Sequence, residues 1–350
     1  MTQPLVTIGL VLFKGEHYLK PCLESLMAQD YPNLEFLFRD QNPNGEGRAY
    51  IEKELPAVFA KAKFEIGPNL MHSGGHNSLI RKMSGAYYLC ASYDMWYSPD
   101  VISKLVEALE KPENAKVGTA TPKLRFWDFE KAKAGDLGAS LTNRFDSCGI
   151  AMRPFHHFTD LGQGETDSGQ YDAGVKILGP SGALTLFRRE ALEDIKFEGG
   201  KNGPEYYDEL IHYKNDVDMA YRLQWAGWPT VFVPQAVAWH ERQAKNADQF
   251  TTLAGRIVKS RSEKSLWARE SSFFGQEVMY AKDFRDRGFS LSVRIQTALY
   301  RLASIVFVAL FERTLLKQFK LIDEKKPEIL ARRDAMKIRV PASEIEKLMI

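Results

Sequence analysis

The strongest constraint on this chain is a repeated alternation in its first 125 residues. Short runs rich in strand-forming apolar residues are separated by stretches with apolar residues at helical spacing. The spacing predicts strands over Val6–Phe13, Leu34–Arg39, Lys63–Ile66, Tyr87–Ala91 and Val117–Leu124. Between them, Glu16–Gln29 carries Leu19, Leu23, Leu26 and Met27 on one helical face. Ile51, Leu55, Val58 and Phe59 predict a second helix, Asn77–Ser84 a third, and Val101, Leu105 and Leu109 a fourth that begins after Pro99. Strand–helix alternation implies a mostly parallel sheet with right-handed crossovers, flanked by helices.

From about 126 to 175 the pattern loosens into Gly, Asp and His residues, the profile of long loops over a sheet. Structure is expected to resume at Lys176–Phe187. A helix over Asp216–Ala226 ends at Gly227, a plausible C-cap, and Thr230–Val233 and Ala236–Trp239 are short extended pieces. Past residue 250 the chain reads as helical. The domains expected are residues 1–250, a catalytic α/β domain, and residues 251–350, a basic helical extension.

Charge supports that division. The chain of 350 residues carries a formal net charge of +2, but residues 1–250 sum to −6 and residues 251–350 to +8. The apolar segment LASIVFVALF at 302–311 is too short to span a bilayer alone. Flanked by basic residues, it suits either an anionic membrane surface, with contact through 294–320, or packing on the body or in a homodimer. Three widely spaced cysteines, Cys22, Cys90 and Cys148, form no disulfide framework, and the N-terminus does not read as a signal peptide. A cytoplasmic location follows as the expectation, peripheral on the inner face of the plasma membrane if the tail binds lipid. The acidic site region gives no support to nucleic-acid binding.

Ligands of parallel α/β sheets bind beyond the carboxyl ends of the strands. Four features fall there. Asp40 and Asn42 follow the second strand, where a carboxylate can accept from a nucleobase imide and where Asp and Asn also simply make turns. Gly74 and Gly75 lie in a predicted loop before a helix start, offering amides to a diphosphate. Ser92-Tyr93-Asp94 ends an apolar strand, and Asp94 can hold a hard divalent cation or cap a helix. Asp216 and Asp218 open the late helix, and His240 lies beyond it as a ligand or a structural histidine.

The order of these segments resembles the family 2 glycosyltransferases, which have a Rossmann-like GT-A fold. The resemblance runs from Val6 to about Gln243. It is carried by VTIGLVLFKGEHYLKPCLESLMAQDYPNLEFLFRDQNPNGEG, NLMHSGGHN, SGAYYLCASYDMWYSPDVI, GPSGALTLFRREAL and NDVDMAYRLQWAGWPTVFVPQAVAWH. The resemblance implies Asp216 as catalytic base and Asp94 and His240 as ligands of Mg²⁺ or Mn²⁺. It implies a nucleotide-sugar site of Phe13, Glu16, Asp40, Asn42, Gly74, Gly75, Asn77, Ser92, Tyr93 and Asp94. Ser181, Gly182, Asn215 and Asp218 would face the acceptor and the transferred sugar.

It further implies an inverting transferase using a nucleoside-diphosphate sugar, with dTDP-rhamnose or a UDP-sugar as donor. The acceptor would be a glycan or lipid-linked glycan of envelope polysaccharide synthesis. The rhamnosyltransferases are the subgroup it most resembles. Three positions depart from the family pattern: Ser92 in place of an acidic residue or Asn, Asn215 in place of Glu, and Lys14 in place of Asn. Ser92 and Asn215 are what a non-catalytic nucleotide-sugar-binding or scaffolding protein on the same fold would show. A nucleotidyltransferase is disfavoured, because no Gly-rich phosphate loop with a following Arg and Lys opens the chain.

Overall fold

A computed structural model describes residues 3–242, 265–285 and 287–350. Its centre is a nine-stranded mixed sheet. The strands are β1 (Val6–Leu12), β2 (Leu34–Asp40), β3 (Ala62–Ile66), β4 (Tyr87–Ala91), β5 (Met95–Tyr97), β6 (Thr119–Trp127) and β7 (Leu141–Ser147). Two more, β10 (Leu184–Arg188) and β11 (Thr230–His240), complete it. The order is β3-β2-β1-β4-β10-β6-β11-β5, with β7 on the flank of β6. A separate hairpin pairs β8 (Ile150–Met152) with β9 (Phe158–Asp160).

The first four strands of that order are parallel, as the alternation predicts. β1 and β4 are apolar on both faces because helices cover both sides, and Val6, Ile8, Leu10 and Leu89 are fully buried. The helices are α1 (Glu16–Met27), α2 (Glu46–Glu54), α3 (Pro56–Phe59), α4 (Met71–Ile80) and α5 (Val101–Glu110). Beyond β4 the sheet departs from the expectation. β10 runs antiparallel to β4 and β6, and β5 and β7 are antiparallel to their neighbours. An apolar run favours a strand but does not encode its direction.

Other corrections are local. The single helix expected through Ile51–Phe59 is two, because Pro56 cannot donate into the first and instead starts the second. The two extended pieces after Gly227 are one strand, β11, interrupted by a register shift between Val233 and Val237. The loosened stretch holds two short helices, α6 (Phe129–Lys133) and α7 (Leu137–Ser140), besides β7, β8 and β9.

After β10 come α8 (Arg189–Ile195) and α9 (Asn215–Ala226). Gly227 caps α9 in the left-handed region as expected, at φ 83°, its amide bonded to the Gln224 carbonyl. The C-terminal helices are α10 (Leu266–Met279), α11 (Leu291–Phe311), α12 (Lys317–Ala335) and α13 (Ala342–Glu346). The boundary expected at residue 250 lies outside the described residues. Val217, Tyr221 and Trp225 of α9 share one apolar cluster with Val278, Phe289, Ile329 and Ile345, so the C-terminal helices complete the core behind α9.

Candidate functional site

Three strand ends build the site. β4 ends at Ala91, and the chain turns through Ser92–Asp94 into β5. β5 pairs antiparallel with β11 so that His240 lies opposite Met95. That register brings His240 Nε2 to 3.5 Å from Asp94 Oδ2. On the other side of β4, Ala91 lies opposite Leu184, so the Ser181–Gly182–Ala183 segment leading into β10 reaches the same edge.

His240 is held from behind. Its Nδ1 is 2.8 Å from Asp146 Oδ2, a carboxylate only 1% exposed. Arg242 then bridges Asp146 Oδ1 at 3.2 Å and Asp160 Oδ2 at 2.5 Å. Ser92 Oγ donates to Asp94 Oδ1 at 2.6 Å. Burial opposes a charge on His240, but Asp94 and Asp146 outweigh it and push the imidazole up to about 10. Burial likewise opposes ionisation of Asp94 and Asp146, and the facing His240 holds both below the ordinary range. Asp94 is the more open carboxylate, its side chain 27% exposed against 1% for Asp146. An imidazole whose outer nitrogen is fixed by a buried carboxylate, and whose inner nitrogen faces a second carboxylate, offers two donors that could hold a divalent cation. Asp94 and His240 fit such an ion.

Asp216 sits at the start of α9. Its carboxylate accepts from the Val217 amide at 2.8 Å and from the Gly182 amide. A Cβ on Gly182 would lie 3.2 Å from Asp216 Cβ, so glycine permits this approach. Burial, and then the Asp160 carboxylate, raise the Asp216 carboxyl above its usual range, against the pull of the two amides and Arg242. Asn215 does not point into a shared site with it. Its side chain bonds His72 Nδ1 at 2.8 Å and Ser73 Oγ at 3.2 Å, tying α9 to α4.

Other predicted residues take different roles. Tyr93 Oη donates to the Phe13 carbonyl at 3.0 Å and lies over the β1–α1 turn. Lys14 and Gly15 form that turn in the left-handed region, and a Cβ on Gly15 would lie 2.6 Å from the Tyr93 ring. Glu16 opens α1 beside it. Asp40 is fully buried, and its oxygens accept from the Asn42 amide, the Asn42 side chain and the Arg48 amide. Asn42 in turn accepts from the Lys14 amide at 2.8 Å. Both residues therefore do the turn work that was the simpler reading of their sequence. Ser181 is buried, and its carbonyl accepts from Thr185.

Three expectations are corrected. Gly74 and Gly75 lie inside α4, not in a loop before it, because α4 begins at Met71 rather than Asn77. A Cβ on Gly75 would lie 2.9 Å from both Val11 methyl groups, so this glycine serves close packing of α4 on β1. Asn77 is fully buried and bonds the backbone of Tyr206 and Tyr207, which leaves it nothing to offer a nucleotide. Asp218 faces away from the site. It pairs with Arg222 at 3.0 Å and with Lys282, all three buried, because at helical spacing it lies behind Asp216.

Sequence reasoning missed Asp146, Asp160 and Arg242. Asp146 and Asp160 lie in the irregular stretch where periodicity is silent. Arg242 follows His240 by two residues, and only its position after a strand end marks it.

A family model described as glycosyltransferase like family 2 matches residues 4–256. The chain is 23% identical over 234 residues to the glycosyltransferase GlyA of Streptococcus pneumoniae serotype 4, covering 63% of this chain and 30% of that protein. It is 27% identical over 110 residues to an uncharacterised glycosyltransferase of Rickettsia conorii, covering 31% of this chain and 18% of that one. The chain thus spans less than a third of the length of these two relatives. Among solved structures, GalNAc-T7 with UDP, GalNAc and Mn²⁺ superposes with a TM-score of 0.51 at 11% identity, covering 83% of this chain and 53% of that one. That likeness concerns the fold, which is the α/β GT-A arrangement expected from the sequence, with a C-terminal helical region. On the match over residues 4–256, the chain belongs to the family 2-like glycosyltransferases.

Proposed function

We propose that this chain transfers a sugar from a nucleoside-diphosphate donor to an acceptor hydroxyl, with inversion at the anomeric carbon. The observation that carries the reading is the linked set Asp94–His240–Asp146–Arg242–Asp160, whose far end bears electrostatically on Asp216. One carboxylate is poised beside an imidazole for a cation, and a second, desolvated carboxylate stands beside a glycine that leaves room.

In this reading Asp216 accepts the acceptor hydroxyl proton as the acceptor oxygen bonds to the anomeric carbon and the bond to the diphosphate breaks. Its carboxyl, raised by burial, is a stronger base than an ordinary aspartate. The Gly182 and Val217 amides hold its orientation. Asp94 and His240 would hold a divalent cation, which neutralises charge on the leaving diphosphate. Mn²⁺ in the GalNAc-T7 structure supports that choice of ion class. Uridine or thymidine diphosphate sugars, dTDP-rhamnose among them, form the donor panel.

The acceptor is proposed to be a glycan presented at a lipid surface. α11 turns a stripe of Leu291, Ile295, Leu299, Leu302, Val306 and Leu310 outward, each 47–68% exposed. This stripe has helical spacing, and Arg294, Arg313 and Lys320 are exposed near it. Such a face suits an anionic bilayer surface, on the cytoplasmic side by the sequence expectation.

The test is donor hydrolysis and binding. Thermal shift with each nucleotide sugar plus Mg²⁺ or Mn²⁺ should single out one donor. Asp94→Ala should abolish the metal-dependent shift. No shift with any donor would overturn the proposal.

A further inference from the structure

A second group of ligating atoms lies outside the site described above. His72 and His76 are one turn apart on α4, so both imidazoles leave the same helix face. Cys90 on β4 faces them. Cys90 Sγ is 3.9 Å from His72 Nε2 and 3.5 Å from His76 Nε2. All three ligand atoms lie within 4.8 Å of one another. A tetrahedral zinc with bonds of about 2.0–2.3 Å separates its ligand atoms by roughly 3.3–3.6 Å. The observed spacing needs only a small inward movement to reach that.

His76 Nδ1 is 2.8 Å from the Tyr88 hydroxyl, which can accept its N–H as in histidine ligands of metals. The Asn215 amide nitrogen donates to His72 Nδ1 at 2.8 Å, which places the ring proton on Nε2. Metal binding at His72 Nε2 would therefore move that proton to Nδ1, with the Asn215 amide turned over so that its oxygen accepts. Burial pushes the Cys90 thiol up to about 12, and the hydrogen bond from the Tyr207 hydroxyl only partly opposes that rise.

We propose that His72, His76 and Cys90 form a soft divalent-metal site suited to Zn²⁺, distinct from the Asp94–His240 pair. On binding, the thiol S–H bond breaks, its proton goes to solvent and a sulfur–metal bond forms, with no change of oxidation state. Two imidazoles and a thiolate select zinc over Mg²⁺ and Mn²⁺, whereas carboxylate-rich sites favour the hard ions. The ion would join α4 to β4. Through Asn215 it would also fix the first turn of α9, which carries Asp216. The site does not depend on the glycosyl-transfer reading.

Co²⁺ is the probe. The full chain, purified without a polyhistidine tag and stripped with chelator, should take up one equivalent. A sulfur-to-cobalt charge-transfer band and tetrahedral d–d bands should appear, and Zn²⁺ should displace them. Cys90→Ser should lose the band, and Zn²⁺ should raise the unfolding temperature of the wild type but not of this variant. Asp94→Asn should keep the band, which separates the two sites. Absence of the charge-transfer band in wild-type protein at saturating Co²⁺ would overturn the proposal. So would undiminished Zn²⁺ binding by Cys90→Ser, or loss of the band in Asp94→Asn.

Discussion

Lys282→Met is the sharpest test of what holds α9 in place. Lys282 follows α10, and its ammonium lies between Asp208 and Asp218, with all three side chains 0% exposed. Asp218 keeps Arg222 at 3.0 Å and Asp208 keeps Arg332 at 2.6 Å after the substitution. Asp283, also buried, is raised well above its usual value by burial. The variant thus removes one buried positive charge from between two carboxyl groups that remain partly paired. Removing one partner of a buried pair costs about 3–5 kcal/mol, and the surviving arginines place this case near 3. Against a global stability of about 5–15 kcal/mol, that is a large fraction. Urea unfolding followed by circular dichroism measures it directly.

The pH dependence has a definite sign. Burial opposes ionisation of Asp208, but Lys282 and Arg332 lower its folded value. Its stabilisation is present above the ordinary carboxylate range and is lost as pH falls through the lowered value. The variant lacks part of that stabilisation, so the two stability curves should converge in acid. The double variant Lys282→Met/Asp218→Asn should recover part of the loss at neutral pH. A loss under about 1 kcal/mol, or a gap that widens in acid, would refute the argument that Lys282 fastens α9 to the C-terminal helices.

Other outcomes follow from the same geometry. Asp216→Asn should lower turnover by about 10²–10⁴-fold while donor binding persists, and wild-type rate should fall as pH drops through the raised Asp216 value. Divalent-cation affinity should rise from neutral pH toward about 10, because an ion must displace the proton of His240 Nε2; calorimetry showing a flat profile would contradict this. Gly75→Ala should cost about 1–3 kcal/mol in chemical unfolding, since its Cβ meets both Val11 methyls at 2.9 Å. Leu299→Glu/Val306→Glu should cut co-sedimentation with anionic liposomes and leave the unfolding midpoint unchanged; equal partitioning would remove the membrane contact.

Periodicity alone determined the front half of the sheet. Val6–Leu12 and Tyr87–Ala91 are largely apolar because helices cover both faces, and Leu34–Asp40 keeps Phe36, Leu37 and Phe38 at buried positions, so that demand is written locally in the chain. The end of Tyr87–Ala91 marked Asp94, and the helix start marked Asp216. Tertiary structure decided the rest. The reversed direction of β10 brings Gly182 to Asp216, and the antiparallel β5–β11 pair brings His240 to Asp94 across about 145 residues of chain. Neither direction nor register leaves a local pattern. Burial also assigned roles that residue type left open: Asp218 and Asn77 are polar and close in sequence to site residues, yet they face the core and satisfy it. A carboxylate's chemistry depends on which side of its helix meets the cleft, and only packing of α9 on the C-terminal helices settles that side.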